Sequence, residues 1–311
     1  EDGRIHASFH QAGGWEERSS TAGEAPDSRR FSSSGPNLQQ VVHHGDTTRP
    51  YVAEWGRRAH SAFIAPLGSV LFKADFGQQE PRIAAGVSGD MELLHDLEHG
   101  DVYCRVASRL FGRVITKADV EERQTAKRNF MAWLNGSEGD QFRDAAPWLS
   151  RAEAGCIAQW IGEQYPVFQA FRQQTVQFLQ KHGYVETAFG GRRYLPGIYS
   201  SADSDRREAA RQAIIVPIQG TAADILKLCL GRLVKHEFFA RRWMRIVLLV
   251  HDEVVGEIHS PLLERDGWPI AAVDNLLTEM AAGLLPVRLP VEVGYGPDWV
   301  NCLSLEKRRP A

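Results

Sequence analysis

The fold is decided by one stretch of the chain, Arg245-Ile246-Val247-Leu248-Leu249-Val250-His251-Asp252-Glu253-Val254-Val255-Gly256-Glu257-Ile258. A short apolar run rich in branched residues is typical of a strand buried on both faces, so the pattern predicts a β-hairpin in the core. Asp252 and Glu253 would lie side by side at its tip. A polar turn alone explains such a tip, but carboxylates at the end of a buried strand also hold hard divalent cations.

A second stretch of the same kind lies far upstream, Ser69-Val70-Leu71-Phe72-Lys73-Ala74-Asp75-Phe76-Gly77-Gln78-Gln79-Glu80-Pro81-Arg82. A strand-like run again ends at an aspartate, Asp75. Pro81 then suits the first turn of a helix. The chain therefore offers a partner carboxylate for the hairpin tip.

Together the two stretches resemble the catalytic strands of the family A DNA polymerases, the bacterial DNA polymerase I class. The segment from Asp75 to Arg82 is similar to the family's first motif, and His251-Asp252-Glu253 is similar to its last. The resemblance runs from about Gly3 to Val300, and its pieces occur in the family's order.

The 311 residues suffice for a large core and two subdomains. No run of eighteen apolar residues occurs, so we expect no membrane-spanning segment. The four cysteines are far apart, without metal spacing or a disulfide framework, which indicates a reducing, intracellular setting. The expected location is a bacterial or phage-type cytoplasm, with an organelle as the alternative. Because no Met leads the chain, we expect a piece of a longer protein.

The net charge of -3, from 36 basic and 39 acidic residues, argues against a protein that grips nucleic acid by charge alone. It leaves room for local basic clusters, such as Arg29-Arg30, Arg192-Arg193, Arg206-Arg207 and Arg241-Arg242. Taken singly, each cluster is more typical of a solvated surface.

The N-terminal segment from Arg4 to Gln11 alternates like a half-buried strand, and residues 13–34 are polar enough to predict a mobile loop. The Ser-rich stretch over residues 28–39, which includes the end of this loop, resembles the family segment that lies along the minor groove of the primer-template. The resemblance implies that Arg30, Asn37 and Gln39 donate to minor-groove acceptors. Standing alone, the stretch would be a Ser-rich linker.

Two helices are predicted next. The first, from Asp101 to Phe111, is closed by Gly112, and the second runs from Asp119 to Gly136 with Glu122 completing a capping box. One face of the second helix carries Arg123, Lys127, Met131 and Asn135, spaced by four residues. Such a basic pair is usually a solvated stripe. Here it resembles the family's nucleotide-binding helix, which implies that Arg123 and Lys127 hold the incoming triphosphate. The family usually has Phe and Tyr where this chain has Met131 and Asn135, and Phe130 is one position off.

The next elements follow from caps and turns. Residues 138–144 predict a loop, Ser150 and Glu153 cap a helix, and Pro166 interrupts a pattern that resumes to Lys181. Residues 183–196 predict a hairpin turned by Gly190-Gly191.

The most specific string in the chain is Pro217-Ile218-Gln219-Gly220-Thr221-Ala222-Ala223-Asp224, within a predicted small-residue helix over 207–225. The family resemblance implies that Arg211 and Gln219 touch the primer-template duplex, although Ile215 replaces an Asn. Residues 289–299 resemble the family's closing strand.

The resemblance implies an α+β fold of right-hand polymerase architecture. Its antiparallel-sheet palm would comprise residues 1–89 and 200–311, with a helical fingers insertion at 90–199. Most of the thumb and any exonuclease portion would lie upstream of Glu1 in the same protein, or on a partner chain.

The implied activity is template-directed DNA synthesis, in which dNTPs are added to a primer 3′-hydroxyl with two Mg²⁺ ions, or Mn²⁺ as a substitute. Asp75 and Asp252 would bridge the metals with the Phe76 carbonyl, and Glu253 would support them. Lys127 would neutralise triphosphate charge, and Glu80 would crowd a ribose 2′-hydroxyl. The remaining implied contacts are Gln78 to the nucleotide and His251 to the primer-template DNA.

Two alternatives stay open. One is a related single-subunit RNA polymerase, against which Glu80 argues. The other is a non-catalytic fragment that binds primer-template DNA, against which the intact Asp75 and Asp252 argue.

Overall fold

The computed structural model describes residues 5–10, 30–41, 50–250, 252–259, 275–276 and 278–303. By its contacts the chain forms two compact units. The first combines Glu1–Gln79, Ala223–Leu284 and Arg288–Ala311, and the second combines Glu80–Ala222 with Leu285–Val287. The expected fingers, residues 90–199, fall inside the second unit, and their boundaries as a polymerase subdomain stay a prediction.

The N-terminal part of the first unit contains two short paired strands, β1 (Ser8–His10) and β2 (Ser32–Ser34). A 3₁₀-helix, Leu38–Gln40, and helix α1, Pro50–Ser61, follow. The prediction of a loop over 13–34 is wrong at its end, because Ser32–Ser34 pairs with β1 and His10 Nε2 lies 2.8 Å from Ser34 Oγ. Residues 13–29 of that loop lie outside the described residues.

The first unit is built on a four-stranded antiparallel sheet with the order β6-β7-β3-β8. Its strands come from distant parts of the chain: β3 is Ser69–Phe76, β6 is Met244–Val250, β7 is Glu253–His259 and β8 is Val291–Gly296. The predicted hairpin, the upstream strand and the closing strand are all confirmed. The sheet is therefore assembled from both ends of the chain, as expected.

The sheet is packed tightly enough to require a glycine in its central hairpin. A Cβ at Gly256 would collide with the ring of Phe72 and the carbonyl of Arg245. Phe72 is fully buried and pairs with Gly256 in the β3–β7 register. Gly256 therefore interrupts the apolar run because Phe72 occupies the space of its side chain. Apolar residues of the sheet and its surroundings form one cluster: Leu38, Leu71, Leu248, Val255, Trp299 and Cys302.

The second unit is mainly helical. Its helices are α2 (Gln79–Ser88), α3 (Met91–His99), α4 (Val102–Phe111), α5 (Val120–Leu134), α6 (Phe142–Ala145), α7 (Arg151–Gln164) and α8 (Pro166–His182). Pro81 lies in the first turn of α2, as predicted. Large aromatic side chains fill the core: Phe130, Trp133, Phe142, Tyr165 and Phe168 are each at most 1% exposed.

Several predicted helix ends are confirmed. Asp101 caps α4, and Gly112 ends it in the left-handed region at φ 65°. Ser150 and Glu153 form a capping box at α7, and Pro166 opens α8. The predicted loop over 138–144 is wrong from Phe142 onward, where α6 begins, because the fully buried Phe142 ring anchors that turn.

The capping box predicted at Asp119 and Glu122 is wrong. Helix α5 does begin at Val120, but Asp119 makes no side-chain cap. Its carboxylate instead accepts from the backbone N–H and hydroxyl of Thr116 and from Arg113, which also pairs with Glu122. Charge-assisted hydrogen bonds to Arg113 therefore replace the capping bonds that were predicted for Asp119 and Glu122.

A hairpin and a long helical stretch follow. The hairpin predicted at 183–196 is confirmed as β4 (Tyr184–Glu186) and β5 (Arg192–Tyr194). The helix predicted over 207–225 is in fact two helices, α9 (Asp203–Ile215) and α10 (Thr221–Leu233), joined by a π-helical turn at Val216–Gly220. Pro217 lies in that turn, where its absent N–H removes one helical hydrogen bond. Helix α11, Glu237–Ala240, lies between α10 and β6.

The stretch Asp203–Leu233 is long and apolar enough to cross a membrane by length and composition alone. However, 72% of the most apolar 18-residue part of this stretch is buried inside the protein. A core helix has the same properties, so this is weak evidence for a membrane span.

Candidate active site

A row of acidic residues crosses one end of the sheet in the first unit. Asp75, near the end of β3, is the register partner of Glu253 on β7 and of Glu292 on β8. Side chains of directly paired residues lie on the same face of a sheet. Asp252 immediately precedes Glu253, so the sheet brings together Asp75, Asp252 and Glu253 as the sequence predicted.

This crowding of acids perturbs Asp75. Burial, followed by the charges of Asp252, Glu253 and Glu292, raises the pKa of Asp75 from 3.8 to about 7, while Lys73 lowers it. Two causes therefore act in the same direction: desolvation disfavours the carboxylate and neighbouring carboxylates repel it. A divalent cation would remove both penalties.

Glu253 is held by a residue that sequence reasoning did not single out for the site. The indole Nε1 of Trp299 donates to Glu253 Oε1 at 2.6 Å. Trp299 is itself fixed between His60, at 4.2 Å between ring centroids, and Phe63, at 5.4 Å. Glu253 is thus tethered toward Trp299, and the supporting role predicted for it stays a prediction.

The donor set suits a metal that is completed by its substrate. Carboxylate oxygens are the ligands that Mg²⁺ prefers, and Mg²⁺ is usually bound through one or two carboxylates plus phosphates. Within the described part of the chain, no group of three or more His, Cys, Asp or Glu side chains converges as a complete metal site. Asp75, Asp252 and a backbone oxygen such as that of Phe76 are oxygen donors of the kind that Mg²⁺ takes, and their role as metal ligands stays a prediction.

The turn after β3 is conformationally unusual. Gln78 adopts φ 53°, in the left-handed region that residues other than glycine rarely occupy. Gly77 approaches Pro290 closely, since its N–H donates to the Pro290 carbonyl at 2.9 Å. The turn thus holds Gln78 in a strained backbone conformation directly after the acidic row. Strained backbone conformations of this kind cluster at functional sites. Its contact with a nucleotide stays a prediction.

The residues predicted to contact the minor groove make internal bonds as well. Asn37 Oδ1 caps the 3₁₀-helix by accepting from the Gln39 N–H at 3.1 Å. Gln39 Nε2 donates to the Leu249 carbonyl at 3.0 Å, on the strand that leads to Asp252. Gln39 therefore braces the hairpin of β6 and β7, a role that sequence reasoning missed. The DNA contacts of Arg30, Asn37 and Gln39 stay predictions, and His251 lies outside the described residues.

On the second unit, α5 presents the predicted triphosphate residues. Arg123 is held by Asp101, with Nε and a terminal nitrogen 3.0 and 2.9 Å from Oδ2. Burial raises the pKa of Asp101, but the bonds from Arg123 and the Cys104 N–H lower it more, so the net direction is downward. Lys127 is exposed, and within the described residues no carboxylate lies within ion-pair distance of it.

Phe130 belongs to the core and not to this face. It is fully buried and packs against Tyr103, Trp133 and Tyr165 at ring-centroid distances of 5.9, 5.8 and 6.2 Å. Met131 and Asn135 are instead half-buried. Asn135 ends α5, and its buried Oδ1 has no hydrogen-bond partner among the described residues.

The other predicted contacts of this unit occur as two pairs. Gln219 Nε2 lies 3.4 Å from Glu80 Oε2, a long hydrogen bond. Arg211 makes two bonds to Glu208, at 2.9 and 2.6 Å. Sequence reasoning did not identify Glu208 as the partner of Arg211, although its spacing of three residues on a helix is the usual signal for such a pair.

Comparison with known proteins places this geometry in a family. The family model described as DNA polymerase family A matches residues 1–301. The chain is 33% identical over 302 residues to the thermostable DNA polymerase I of Thermus thermophilus, covering 96% of this chain and 33% of that protein. It is also 33% identical over 298 residues to DNA polymerase I of Pseudomonas aeruginosa, covering 96% and 30%. The chain thus spans about one third of the length of the curated relatives it matches.

A solved structure agrees with the sequence comparison. The structure is the POL domain of Pol1 from M. smegmatis in complex with DNA primer-template and dNTP. It matches with a TM-score of 0.79 and 30% sequence identity, covering 97% of this chain and 49% of that one. The right-hand polymerase fold expected from the sequence is therefore confirmed, and the chain belongs to the family A DNA polymerases.

Proposed function

We propose that this chain carries the nucleotidyl-transfer centre of template-directed DNA synthesis, adding deoxynucleotides from dNTPs to a primer 3′-hydroxyl. The observation that carries this proposal is the acidic row across three antiparallel strands, in which the pKa of Asp75 is raised to about 7. In a purely structural strand end, repulsion between carboxylates only destabilises the fold. In a cation site, the same carboxylates together attract a divalent ion.

Asp75 and Asp252 would hold two Mg²⁺ ions, with the Phe76 carbonyl as a further oxygen ligand and Mn²⁺ as a substitute. When bound, such a pair lowers the pKa of the attacking hydroxyl and stabilises the pyrophosphate leaving group. Glu253, tethered to Trp299, would keep its charge beside the site without bridging the ions.

Arg123 and Lys127 would bind the triphosphate through charge-assisted hydrogen bonds. Phosphate contacts carry no base information, so the choice of nucleotide would rest on pairing with the template. Glu80 would exclude a ribose 2′-hydroxyl, and Arg211, Gln219, Arg30, Asn37, Gln39 and His251 would contact the primer-template.

The test is primer extension with Mg²⁺. Asp75→Asn and Asp252→Asn should each remove nearly all incorporation while primer-template binding persists, and the double variant should be little worse than either single. Glu292→Gln is the matched control, since Glu292 is the outer, exposed member of the acidic row and no contact with the metal ions is proposed for it. It should keep activity within about threefold, a change worth less than 1 kcal/mol.

Near-normal extension by either aspartate variant would refute the metal assignment. Primer-template binding without any extension by the unsubstituted chain would favour a non-catalytic fragment. Extension with ribonucleotides in preference to deoxynucleotides would favour the RNA polymerase alternative.

A further inference from the structure

A single aromatic ring contacts both cations of the proposed triphosphate site. The Arg123 guanidinium carbon lies 5.1 Å from the ring centroid of Tyr103, and the Lys127 ammonium lies 5.8 Å from it. Both distances are within the range of cation–π attraction. Tyr103 is 3% exposed and lies on α4, so it approaches α5 from a neighbouring helix.

Helix spacing places Arg123 and Lys127 on one face of α5, and the Tyr103 ring lies against both side chains. Like charges four residues apart on a helix repel each other, and rotation of the two long side chains away from each other would relieve that repulsion. The negative face of the Tyr103 ring attracts both groups and so opposes their separation.

Asp101 compensates only one of the two cations. Its Oδ1 accepts from the N–H groups of Tyr103 and Cys104 at 3.1 and 3.0 Å, while its Oδ2 accepts from Arg123. The same residue therefore caps α4, fixes the backbone of Tyr103 and anchors Arg123. Lys127 remains the cation whose charge is available to an incoming polyanion.

We propose that Tyr103 is a positioning residue for polyphosphate, whose ring holds Arg123 and Lys127 together on one face of α5. The inference rests on the proposed function, because it takes that face as the triphosphate site. The competing explanation is that Tyr103 only fills the core beside Phe130, its edge-on neighbour at 5.9 Å. The two explanations differ in one property: packing depends on the shape of the ring, whereas cation–π attraction depends on its electron density.

The decisive experiment changes electron density at nearly constant shape. Tyr103→Phe is the reference, and phenylalanine carrying one, two or three ring fluorines is incorporated at the same position. Binding of inorganic tripolyphosphate to the whole chain is measured at low salt without DNA, dNTP or metal. We expect the affinity to fall with each fluorine, by about five- to tenfold over the series, as two weakened cation–π contacts require.

The matched control places the same fluorinated residues at Phe130, in the same aromatic cluster, where affinity should stay within about twofold. A second measurement repeats the Tyr103 series with Arg123→Gln and Lys127→Gln, which should abolish the dependence on fluorine. If the fluorinated series is flat while the reference binds, the inference is overturned and the triphosphate site survives. If the unsubstituted chain binds no tripolyphosphate, the inference about Tyr103 and the triphosphate site proposed on α5 are both refuted. A graded series in a chain that cannot extend primers would support the inference and count against the proposed function.

Discussion

Trp299 Nε1 donates a 2.6 Å hydrogen bond to Glu253 Oε1, across 46 residues of sequence. Trp299 is 4% exposed and its ring packs against His60 and Phe63. The donor therefore cannot follow the carboxylate if Glu253 turns elsewhere. Glu253 thus has an indole donor, whereas the carboxylate of Asp75 is crowded by other acids, Glu253 among them.

The first prediction concerns this bond. Trp299→Phe keeps an aromatic ring but removes the donor, so it should lower the free energy of unfolding by about 1–3 kcal/mol, as expected for a lost hydrogen bond to a charged group. Incorporation should fall far less than in Asp75→Asn, because the role proposed for Glu253 is to support the metal site and not to bridge the ions. Denaturant unfolding and primer extension measure the two effects. Trp148→Phe is the control, since Trp148 is 56% exposed, and a loss of activity equal to that of Asp75→Asn would contradict the supporting role.

The second prediction follows from the pKa of Asp75, raised by burial and then by Asp252, Glu253 and Glu292 from 3.8 to about 7. Between these values the folded protein holds a proton that the unfolded chain has released. The contribution of Asp75 to stability is therefore complete below pH 3.8 and is lost as the pH rises through about 7.

Denaturant unfolding at several pH values, without divalent cations, should show this fall in the unsubstituted chain. Asp75→Asn should remove that component, because Asn resembles the protonated acid, while the control Glu292→Gln should retain most of it. Added Mg²⁺ should stabilise the unsubstituted chain more at about pH 8 than at about pH 6, since the ligand proposed for the metal is the ionised carboxylate. An unchanged slope in Asp75→Asn would show that Asp75 does not titrate there.

The third prediction concerns sugar choice. Glu80 lies 3.4 Å from Gln219, and the family resemblance places it against the ribose. Glu80→Ala should raise ribonucleotide use relative to deoxynucleotide use, because it removes a steric and polar obstacle. The ratio of incorporation efficiencies for the two sugars is the measurement. Glu98→Ala, at an exposed site on α3, is the control, and an unchanged ratio in Glu80→Ala would locate sugar selection elsewhere.

The fourth prediction concerns Lys127. Lys127→Ala should cost about 2–4 kcal/mol of transition-state stabilisation, the range for losing one charge-stabilising group. The loss should be the same for all four nucleotides, because phosphate contacts carry no base information. Single-nucleotide incorporation kinetics measure it, with the exposed neighbour Arg128→Ala as the control. A loss that depends on the base would mean that Lys127 faces the pairing bases.

The strands and the ends of most helices were predictable because their signals are local. Branched apolar runs marked β3 and β6, and Asp101, Gly112, Ser150 and Pro166 marked helix ends. The capping box at Asp119 failed because Arg113, which no periodicity identifies, competes for its carboxylate.

The acids of the site were predictable for the same local reason, since each lies at or beside the end of a strand. Their supports were not. Trp299 reaches Glu253, and Tyr103 reaches Arg123 and Lys127, only after distant segments pack together. Such contacts depend on which face of which element meets another, which a single sequence does not specify.

The last prediction concerns Asn135 and Met131, which stand where the family usually has Tyr and Phe. An aromatic ring there would stack on the nascent base pair, whereas Asn and Met offer a smaller or more pliable surface. A one-residue shift that turned Phe130 into the Phe position would restore a ring. The structure opposes that alternative, because Phe130 is fully buried among Tyr103, Trp133 and Tyr165.

We therefore expect weak geometric checking of the new base pair, and Asn135→Tyr should lower misincorporation with a modest effect on correct insertion. Asn135 ends α5 with a buried Oδ1 that accepts no hydrogen bond from the part of the chain that the structure describes, so its replacement breaks no such bond of that atom. The measurement is the ratio of correct to incorrect insertion efficiencies, with Asn135→Leu as the control for size without an aromatic face. If Asn135→Tyr slows every insertion equally and leaves the ratio unchanged, the ring only crowds the pocket, and fidelity is set by other residues.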